Sequence, residues 1–183
     1  KVYFGKEEEL NVGKIIAGYA PKKVLVHFGG QSARKSGLLD RVEKALEAEG
    51  IAYVELGGVT ANPELKLVRE GIALCQREGV DFVLAVGGGS VLDSSKDIAN
   101  GVANPDIDVW DFSLGKCVPQ KTLRKGAILT LAAAGSEMSN SCVITNVETN
   151  KKRGYGCSCN RMDFAVENPE LTYTVSPYQT ACG

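Results

Sequence analysis

Residues 80–96 read Val80-Asp81-Phe82-Val83-Leu84-Ala85-Val86-Gly87-Gly88-Gly89-Ser90-Val91-Leu92-Asp93-Ser94-Ser95-Lys96, and the rest of the chain is organised around this segment. Its first seven residues form a nearly continuous apolar run, which is typical of a strand buried on both faces of a parallel sheet. Three glycines follow, and residues 91–100 are predicted to form a helix. The segment therefore predicts a buried strand, a glycine turn and a helix in succession.

The glycine turn predicts an anion site. Glycines let the backbone approach a ligand closely, and the first N–H groups of a helix have no partner within the helix. Because the helix dipole adds positive potential there, a phosphate is the usual occupant. Ser90 is predicted to cap the helix or to donate its hydroxyl to the same phosphate. The spacing matches neither the dinucleotide fingerprint nor the P-loop, so a tight turn without a ligand is the alternative.

Strands and helices are predicted to alternate through the first half of the chain. The repeat of about 30 residues is typical of right-handed βαβ crossovers. We therefore expect an α/β fold with a doubly wound, mostly parallel sheet, a Rossmann-like dinucleotide-binding domain. Glycine turns at residues 29–30, 57–58 and 87–89 follow three of the predicted strands. In such sheets ligands bind at the carboxyl ends of the strands. The predicted strands are residues 2–5, 22–28, 51–56, 80–86, 127–131 and 163–167, and the predicted helices are residues 7–19, 37–49, 63–77 and 91–100.

The pattern changes after Pro105. Residues 108–112 hold the only tryptophan in a mixed polar and aromatic segment, and we expect a short helix or turn there, packed as a lid rather than as core. Residues 142–146 and 152–157 are predicted to form a β-hairpin across a turn at residues 148–150. Pro177 is predicted to open a last helix.

Composition limits the classes of function. The 183 residues are 44% hydrophobic and 23% charged, which is typical of a globular protein. A net charge of −1 argues against a nucleic-acid or anionic membrane partner. No apolar run is long enough to span a bilayer. The six cysteines are scattered, so we expect reduced thiols in a cytoplasmic protein rather than a disulfide framework.

A second candidate site is residues 29–35, Gly-Gly-Gln-Ser-Ala-Arg-Lys. In folds that bind NAD, an acidic residue near a strand end often binds the ribose 2′-hydroxyl, whereas arginine and small polar donors suit a 2′-phosphate. This turn has no acid before Asp40, but it has Ser32, Arg34 and Lys35. The segment therefore favours NADP(H), and the alternative is an ordinary solvated basic turn.

The Asp93–Lys96 pair and His27 can each be interpreted as structural or as functional. Asp93 and Lys96 lie three residues apart on the predicted helix, so they are either a weak surface ion pair or, for Asp93, a group facing the cofactor cleft. His27 is the only histidine and lies in an apolar strand, which favours a satisfied core side chain over a ligand. No His, Cys and Asp cluster has metal-ligand spacing, and no second histidine serves a Ser/His pair. The catalytic residues are therefore unknown at this point.

In these motifs the chain resembles the iron-containing (group III) alcohol dehydrogenases. Within this family it is most similar to the butanol dehydrogenase-like branch, which reduces aldehydes with NAD(P)H. The most specific match joins residues 87–90, Asp93 and Lys96 to Gly135-Ser136-Glu137. One departure is Ala132-Ala133-Ala134, where the family often has Pro-Ala-Thr. The matching stretches are residues 2–5, 28–30, Ser32, 54–58, 62–63, 85–96, 109–112, 135–146, 152–154 and 168–183.

The resemblance implies a set of cofactor-binding residues. The pyrophosphate would lie on the glycine turn, and Asp93 would lie beside the nicotinamide. The adenosine side would be lined by Thr130 and Ser139, and Lys152 would reach the ribose or a phosphate. The set implied for cofactor binding is Gly29, Gly30 and Ser32 at the adenosine 2′ position, Gly87, Gly88, Gly89 and Ser90 at the pyrophosphate, and Asp93, Thr130, Ser139 and Lys152.

The resemblance also implies a domain arrangement. Residues 1–183 would be the dinucleotide-binding domain, and an all-helical domain carrying the Asp and three His ligands of Fe²⁺ or Zn²⁺ would follow Gly183. The full-length enzyme, expected to be a homodimer, would transfer hydride between NAD(P)(H) and a primary alcohol or aldehyde, and these residues alone would be inactive. The alternatives are a stand-alone, non-catalytic dinucleotide-binding module and the cofactor domain of a dehydroquinate synthase-like lyase.

Overall fold

A parallel six-stranded sheet forms the centre of the protein in the computed structural model, which describes residues 1–182. Its strand order is β1-β8-β5-β4-β2-β3, and every neighbouring pair runs parallel. The mostly parallel, doubly wound sheet predicted from the sequence is therefore confirmed. The strands of this sheet are β1 (Val2–Phe4), β2 (Val24–Phe28), β3 (Tyr53–Leu56), β4 (Phe82–Gly87), β5 (Arg124–Leu129) and β8 (Phe164–Glu167).

Helices cover both faces of the sheet, and this explains the continuous apolar runs in its strands. Val24 and Val26 of β2 point into a core cluster with α1 and α3, whereas Leu25 points into a second cluster with α4, α5 and α6. All six residues of β4 are buried between β2 and β5. The helices within residues 1–182 are α1 (Val12–Ala17), α2 (Ser32–Lys35), α3 (Leu38–Ala48), α4 (Leu65–Glu78), α5 (Gly89–Ala103), α6 (Val109–Ser113) and α7 (Pro177–Cys182), with 3-10 turns at Glu8–Asn11, Ser158–Asn160 and Pro169–Thr172.

The helix predicted at residues 7–19 is shorter than expected. The α-helix covers only Val12–Ala17, and a 3-10 turn at Glu8–Asn11 precedes it. Glu7 has a φ of 61°, in the left-handed region, so the helix cannot extend back through it. Val12 and Ile16 are buried, as their apolar spacing predicts, but the α-helix begins only at Val12.

The predicted hairpin is confirmed as β6 (Ser141–Asn146) paired antiparallel with β7 (Lys151–Gly156). At its turn, the Asn146 side chain accepts hydrogen bonds from the amides of Glu148 and Thr149, at 3.0 and 3.3 Å. Cys142 and Ile144 of β6 are buried in the core cluster of α4 and α5. The hairpin therefore packs on α5 and is not an isolated, exposed ribbon.

The expectation of a lid at residues 108–112 is wrong. Asp108 caps α6 by accepting a hydrogen bond from the Trp110 amide at 2.8 Å, and the helix turns its aromatic residues inward. Phe112 is 1% exposed and Trp110 is 8% exposed, both within the core cluster of α4 and α5. The helix has only five residues, and polar and apolar residues alternate along it. Such a pattern does not show which side chains are buried.

Replacing Phe112 with alanine is expected to lower the free energy of unfolding by about 3–5 kcal/mol, as for other buried aromatic residues. Leu114, which ends the same helix and is 37% exposed, is the matched control, and Leu114→Ala is expected to cost about 1 kcal/mol or less. Urea unfolding of both variants measures the difference. Equal losses would show that α6 lies outside the core.

Candidate functional site

A groove of about 490 Å³ lies along the carboxyl edge of the sheet, beside β2, β4 and β5. Parallel strands end at the same edge, so the glycine turns after β2 and β4 meet there. The groove is lined by Gly29, Ser32, Ala33, Ser36, Leu38, Arg41, Val86, Gly87, Gly88, Val91, Thr130, Leu131, Glu170, Leu171, Thr174, Val175 and Gln179. It is the candidate ligand site.

Unpaired backbone amides stand at the first turn of α5. Gly88 is the N-cap residue, and its carbonyl accepts the amides of Val91 and Leu92. The amides of Gly88, Gly89 and Ser90 have no hydrogen-bond acceptor among residues 1–182. Since α5 runs for 15 residues, its dipole adds positive potential at these donors. The geometry is that of an anion site.

The prediction that Ser90 caps the helix is wrong. The helix begins at Gly89 rather than at Val91, so Ser90 is already inside the first turn. Gly88 takes the capping position with an extended backbone, φ −91° and ψ −173°, and no side chain caps α5. Glycine at this position leaves the amides open, whereas a serine cap would have occupied one of them.

The three glycines of the turn differ in what a side chain would meet. A Cβ on Gly87 would lie 2.6 Å from Val91 Cγ2, so packing alone excludes a larger residue there. A Cβ on Gly88 would lie 3.7 Å from Leu131 Cβ, and one on Gly89 would lie 3.9 Å from Ser136 Cβ. Both are ordinary contacts. Packing therefore leaves room for a side chain at Gly88 and Gly89, in the space where a ligand would approach the amides.

Five of the eleven predicted cofactor residues line the same groove: Gly29, Ser32, Gly87, Gly88 and Thr130. The Thr130 amide also donates to the Gly87 carbonyl at 3.1 Å, which ties the ends of β4 and β5 together. Gly30, Gly89 and Ser90 adjoin lining residues in the chain without lining the groove themselves.

Asp93 and Ser139 belong to a second cluster, beside the first turns of α5. Asp93 accepts hydrogen bonds from the Ser136 hydroxyl at 2.6 Å and from the Val143 amide at 3.1 Å. Lys96 is fully buried, and its Nζ lies 3.5 Å from Asp93 Oδ1. The surface ion pair is therefore excluded. The Ser139 hydroxyl accepts the Ser141 amide at 2.9 Å, within the loop that leads to β6.

Lys152 lies away from the groove. It is on the exposed strand β7, and its Nζ donates to Asn62 Oδ1 at 2.7 Å. Asn62 follows β3 and has a φ of 60°. This hydrogen bond joins the hairpin to the carboxyl edge of the sheet. The structure therefore brings Lys152 to the correct edge but not to the groove itself.

Arg34 does not face the groove as a free cation. Its guanidinium donates to Asp40 at 3.3 Å, to Glu55 at 2.6 Å and also to Glu43. The carboxylates of Glu55 and Glu43 raise the pKa of Arg34. Arg34 is thus surrounded by acidic side chains that come from α3 and β3, which the local sequence could not reveal.

Several lining residues were missed by the sequence analysis. Arg41 contributes a cation to the groove, but it pairs with Glu9 Oε1 at 3.1 Å, and Glu9 is 2% exposed. Glu170 pairs with Lys6 at 3.3 Å. These residues come from α3 and from the segment after β8, and no local motif marks them. Only the tertiary fold brings them to the glycine turns.

His27 is a satisfied core residue, as predicted. It is fully buried, and its Nδ1 lies 2.7 Å from the Leu56 carbonyl. Since a carbonyl only accepts, Nδ1 carries the proton, and Nε2 accepts from the Ser94 hydroxyl at 2.8 Å. Burial lowers the pKa of His27 to about 4, so the ring is neutral at pH 7.

A buried carboxyl group lies one turn beyond the Asp93 cluster. Tyr155 of β7 donates its hydroxyl to Asp97 Oδ1 at 2.5 Å, and Asn100 donates to the Tyr155 oxygen at 2.8 Å. The other oxygen, Oδ2, has no hydrogen-bond partner within the described part of the chain. Burial raises the pKa of Asp97 to about 7. The group therefore titrates near neutral pH at the interface of α5 and the hairpin.

Fold and groove together define a class of protein: a doubly wound, Rossmann-like α/β domain with a groove and unpaired helix amides at the carboxyl edge of its sheet. The sequence model described as "Iron-containing alcohol dehydrogenase" matches residues 1–169. The chain belongs to the iron-containing alcohol dehydrogenase family. The resemblance drawn from the sequence is thereby confirmed.

Individual relatives agree with this assignment. The chain is 44% identical over all its 183 residues to NADH-dependent butanol dehydrogenase A of Clostridium acetobutylicum, and it covers 46% of that protein. It is 38% identical over 163 residues to the NADPH-dependent aldehyde reductase YqhD of Escherichia coli, covering 42% of it. The chain thus spans about half the length of these curated relatives.

A solved structure shares the fold closely. The crystal structure of NADH-dependent butanol dehydrogenase A from Thermotoga maritima superposes with a TM-score of 0.95 at 37% identity. The match covers 98% of this chain and 45% of the other. In residues 1–182, no helix is long and apolar enough to cross a membrane, and no group of three or more His, Cys, Asp or Glu residues could hold a metal ion.

Replacing Asp97 with asparagine is expected to remove a pH-dependent loss of stability. The pKa of Asp97 is raised from 3.8 to about 7, so the folded protein keeps a proton that the unfolded chain releases, and stability falls as pH rises through this window. Asp97→Asn is therefore expected to raise Tm at pH 8 by at least about 2–4 °C relative to its effect at pH 4. Thermal melts at both pH values measure this.

The matched control is Asp106→Asn, at an exposed aspartate shortly after the same helix, which is expected to change Tm equally at both pH values. If Asp97→Asn and the wild type show parallel curves of Tm against pH, the carboxyl of Asp97 does not titrate in this range.

Proposed function

We propose that these residues form the nucleotide-binding half of a metal-dependent oxidoreductase that transfers hydride between NAD(P)(H) and a primary alcohol or aldehyde. The observation that carries the proposal is the set of unpaired amides at Gly88, Gly89 and Ser90, at the head of α5 and next to an open groove. The relatives named as butanol dehydrogenase and aldehyde reductase support the reaction class.

The residues at the head of α5 and along the groove suit the binding of a dinucleotide. Consecutive amides at a helix N-terminus suit the negative charge of a pyrophosphate, and no side chain caps them. Ser32 and Thr130 both line the groove with Gly88, so we propose that both hydroxyl side chains contact the adenosine half. A nicotinamide cofactor supplies the hydride chemistry, and the protein supplies binding and orientation.

Asp93 is proposed to lie beside the reacting end of the cofactor. Two donors, the Ser136 hydroxyl and the Val143 amide, fix the orientation of its carboxylate, which is 17% exposed. The roles of Ser139 and Lys152 stay predictions. Ser139 lies in the loop beside Asp93, and Lys152 reaches the carboxyl edge of the sheet through Asn62.

The sequence favoured NADP(H) on the strength of Ser32, Arg34 and Lys35, and the structure removes Arg34 from that argument. The Arg34 guanidinium is paired with Asp40, Glu43 and Glu55, so carboxylates outnumber cations around it, and only Lys35 of the two basic residues in this turn stands outside that cluster of ion pairs. Negative potential disfavours a 2′-phosphate. We therefore propose NADH as the preferred cofactor, in agreement with the name of the relative from Clostridium acetobutylicum.

The remaining features of the full-length protein stay predictions. They are the choice between Fe²⁺ and Zn²⁺, a domain of helices after Gly183 that carries the metal, a homodimer, a cytoplasmic location and the identity of the alcohol or aldehyde. We propose that residues 1–183 are one dinucleotide-binding domain and that they do not turn over alcohols alone. The family match favours this function over a stand-alone module or a dehydroquinate synthase-like lyase.

Gly88→Ala is expected to weaken NADH binding at least about tenfold, which corresponds to about 1.4 kcal/mol, while Tm stays unchanged. The backbone of Gly88 is in a region that alanine also adopts, and the added Cβ meets only an ordinary contact at 3.7 Å. The methyl group would occupy the space in front of the amides. Titration by NADH fluorescence measures Kd.

The control for this variant is Gly18→Ala, which follows α1 at the amino edge of the sheet, opposite the groove. It is expected to bind NADH as the wild type does. Unchanged affinity in Gly88→Ala, with wild-type protein that does bind NADH, would place the pyrophosphate elsewhere. A wild-type protein that binds neither NADH nor NADPH would overturn the proposed function.

The wild-type protein is expected to bind NADH more tightly than NADPH. Glu55→Gln, which removes one carboxylate beside Arg34, is expected to shift the ratio of the two Kd values toward NADPH, because it lowers the excess negative charge. Parallel titrations with both nucleotides measure the ratios, and Asp106→Asn serves as the control of equal charge. Tighter NADPH binding by the wild type would restore the preference predicted from the sequence.

A further inference from the structure

A fully buried lysine lies behind the candidate nucleotide site. The Lys96 side chain is 0% exposed, and its Nζ donates to the Ser136 hydroxyl at 2.8 Å and to the Ser141 carbonyl at 2.7 Å. The Ser139 carbonyl and Asp93 Oδ1 lie at the longer distance of 3.5 Å. The ammonium group therefore donates its hydrogen bonds to one loop, residues 135–141. This loop is called the serine loop below.

Few direct hydrogen bonds join the serine loop to α5. Its other bonds go to the end of the hairpin and the turn after it: the Asn140 carbonyl accepts from the Cys157 amide at 3.0 Å and from Asn160 at 3.1 Å, and the Met138 carbonyl accepts from Arg161 at 2.8 Å. The loop has no helix or strand before Ser141, and Gly135 begins it with a φ of 69°. The Met138 and Ser139 amides bond back to the Gly135 carbonyl, inside the loop. Within the described residues, the side-chain hydrogen bonds between the serine loop and α5 come from Lys96 and Asp93 alone.

The serine loop borders the glycine turn. A Cβ on Gly89 would lie 3.9 Å from Ser136 Cβ, so the loop passes directly beside the unpaired amides. Ser136 accepts from Lys96 and donates to Asp93, which places one hydroxyl between the two side chains. A shift of the loop would therefore move the wall of the site and the orientation of Asp93 together.

Stability does not explain a lysine at this position. Burying an ammonium group has a large desolvation penalty, and replacement of a whole buried ion pair by apolar residues of similar volume is often neutral or stabilising, so a buried pair is weak evidence of a stabilising role. Burial also lowers the pKa of Lys96, while the Asp93 carboxylate raises it. Without Lys96, Asp93 would lose its counter-ion, but its carboxylate is 17% exposed and would keep the donors from Ser136 and Val143.

We propose that Lys96 is a positioning residue that holds the serine loop against α5, so that the wall of the nucleotide site is formed before the nucleotide binds. This inference rests on the proposed function and deepens it. A preformed wall raises affinity because binding does not then have to order the loop. Lys96 would act through Ser136 and Asp93, without touching the nucleotide.

The test variant is Lys96→Met, and a matched control exists in the same protein. Lys125 is also fully buried, but it lies near the start of β5, at the edge of the sheet opposite the groove, and its Nζ donates to the Thr122 hydroxyl at 2.7 Å. Lys125→Met removes a buried ammonium group without touching the serine loop. Both variants, and the wild type, are titrated with NADH and melted thermally.

Lys96→Met is expected to raise the Kd for NADH roughly tenfold or more, because the preorganisation of the site is lost. Its Tm is expected to fall, since Asp93 loses its counter-ion, so the affinity of the folded protein and the amide exchange below decide the test. The Met138 and Ser139 amides are expected to exchange hydrogen faster than in the wild type. Lys125→Met is expected to leave both the Kd and the exchange of these amides unchanged. A purely structural lysine would instead leave the affinity of the folded protein and the exchange of these amides intact, whatever the change in Tm.

Wild-type affinity and wild-type exchange in Lys96→Met would overturn the inference while the proposed function stands, since that function fails only if the wild type does not bind nicotinamide nucleotides. Should Lys96→Met not fold, Ser136→Ala decides, because it removes the bridging hydroxyl and leaves the lysine. A higher Kd for NADH with an unchanged Tm in Ser136→Ala supports the inference, and an unchanged Kd rejects it.

Discussion

The first amides of α5 stay unpaired because the rest of that helix is almost completely buried and therefore fixed in position. Nearly every residue from Val91 to Gly101 is buried between the sheet, α4 and the β6–β7 hairpin. Gly71 and Gly101 allow this, since a Cβ at either would lie within 2.5 Å of an isoleucine on the other helix. A helix held on every side cannot shift to satisfy its first amides, so they remain available to an anion.

The charged groups along the first half of α5 differ in burial and in partners. Asp93 is 17% exposed, Lys96 is fully buried behind the serine loop, and Asp97 is fully buried against Tyr155. Each charged group is paired or hydrogen-bonded by the hairpin or by the loop that leads to it. The hairpin is therefore the element that permits polar residues on a buried helix, because it supplies their partners.

The charges around the turn after β2 depend on long-range contacts. Arg34 is neutralised by side chains from α3 and β3, and Arg41 by the buried Glu9. Neither cation is free, although both lie close to the turn after β2. Counting Arg34 as a free base therefore overstates the positive potential of that turn, in which Lys35 is exposed.

The sequence by itself determined the features that depend on local periodicity. Apolar runs placed β2 and β4, glycines placed the turns at the carboxyl edge, and the turn at residues 148–150 placed the hairpin. It also placed Gly87 and Gly88 in a turn between a buried strand and a helix, and both residues line the groove at that edge.

Only the tertiary structure decided which side chains meet. Burial of α6, the acidic surroundings of Arg34 and the bonds from Lys96 to Ser136 and Ser141 join residues far apart in the chain. Local periodicity carries no information about such partners, because the free energy of an ion pair or a buried aromatic ring depends on three-dimensional neighbours. The capping of α5 by Gly88 was likewise settled by packing at the strand end rather than by side-chain type.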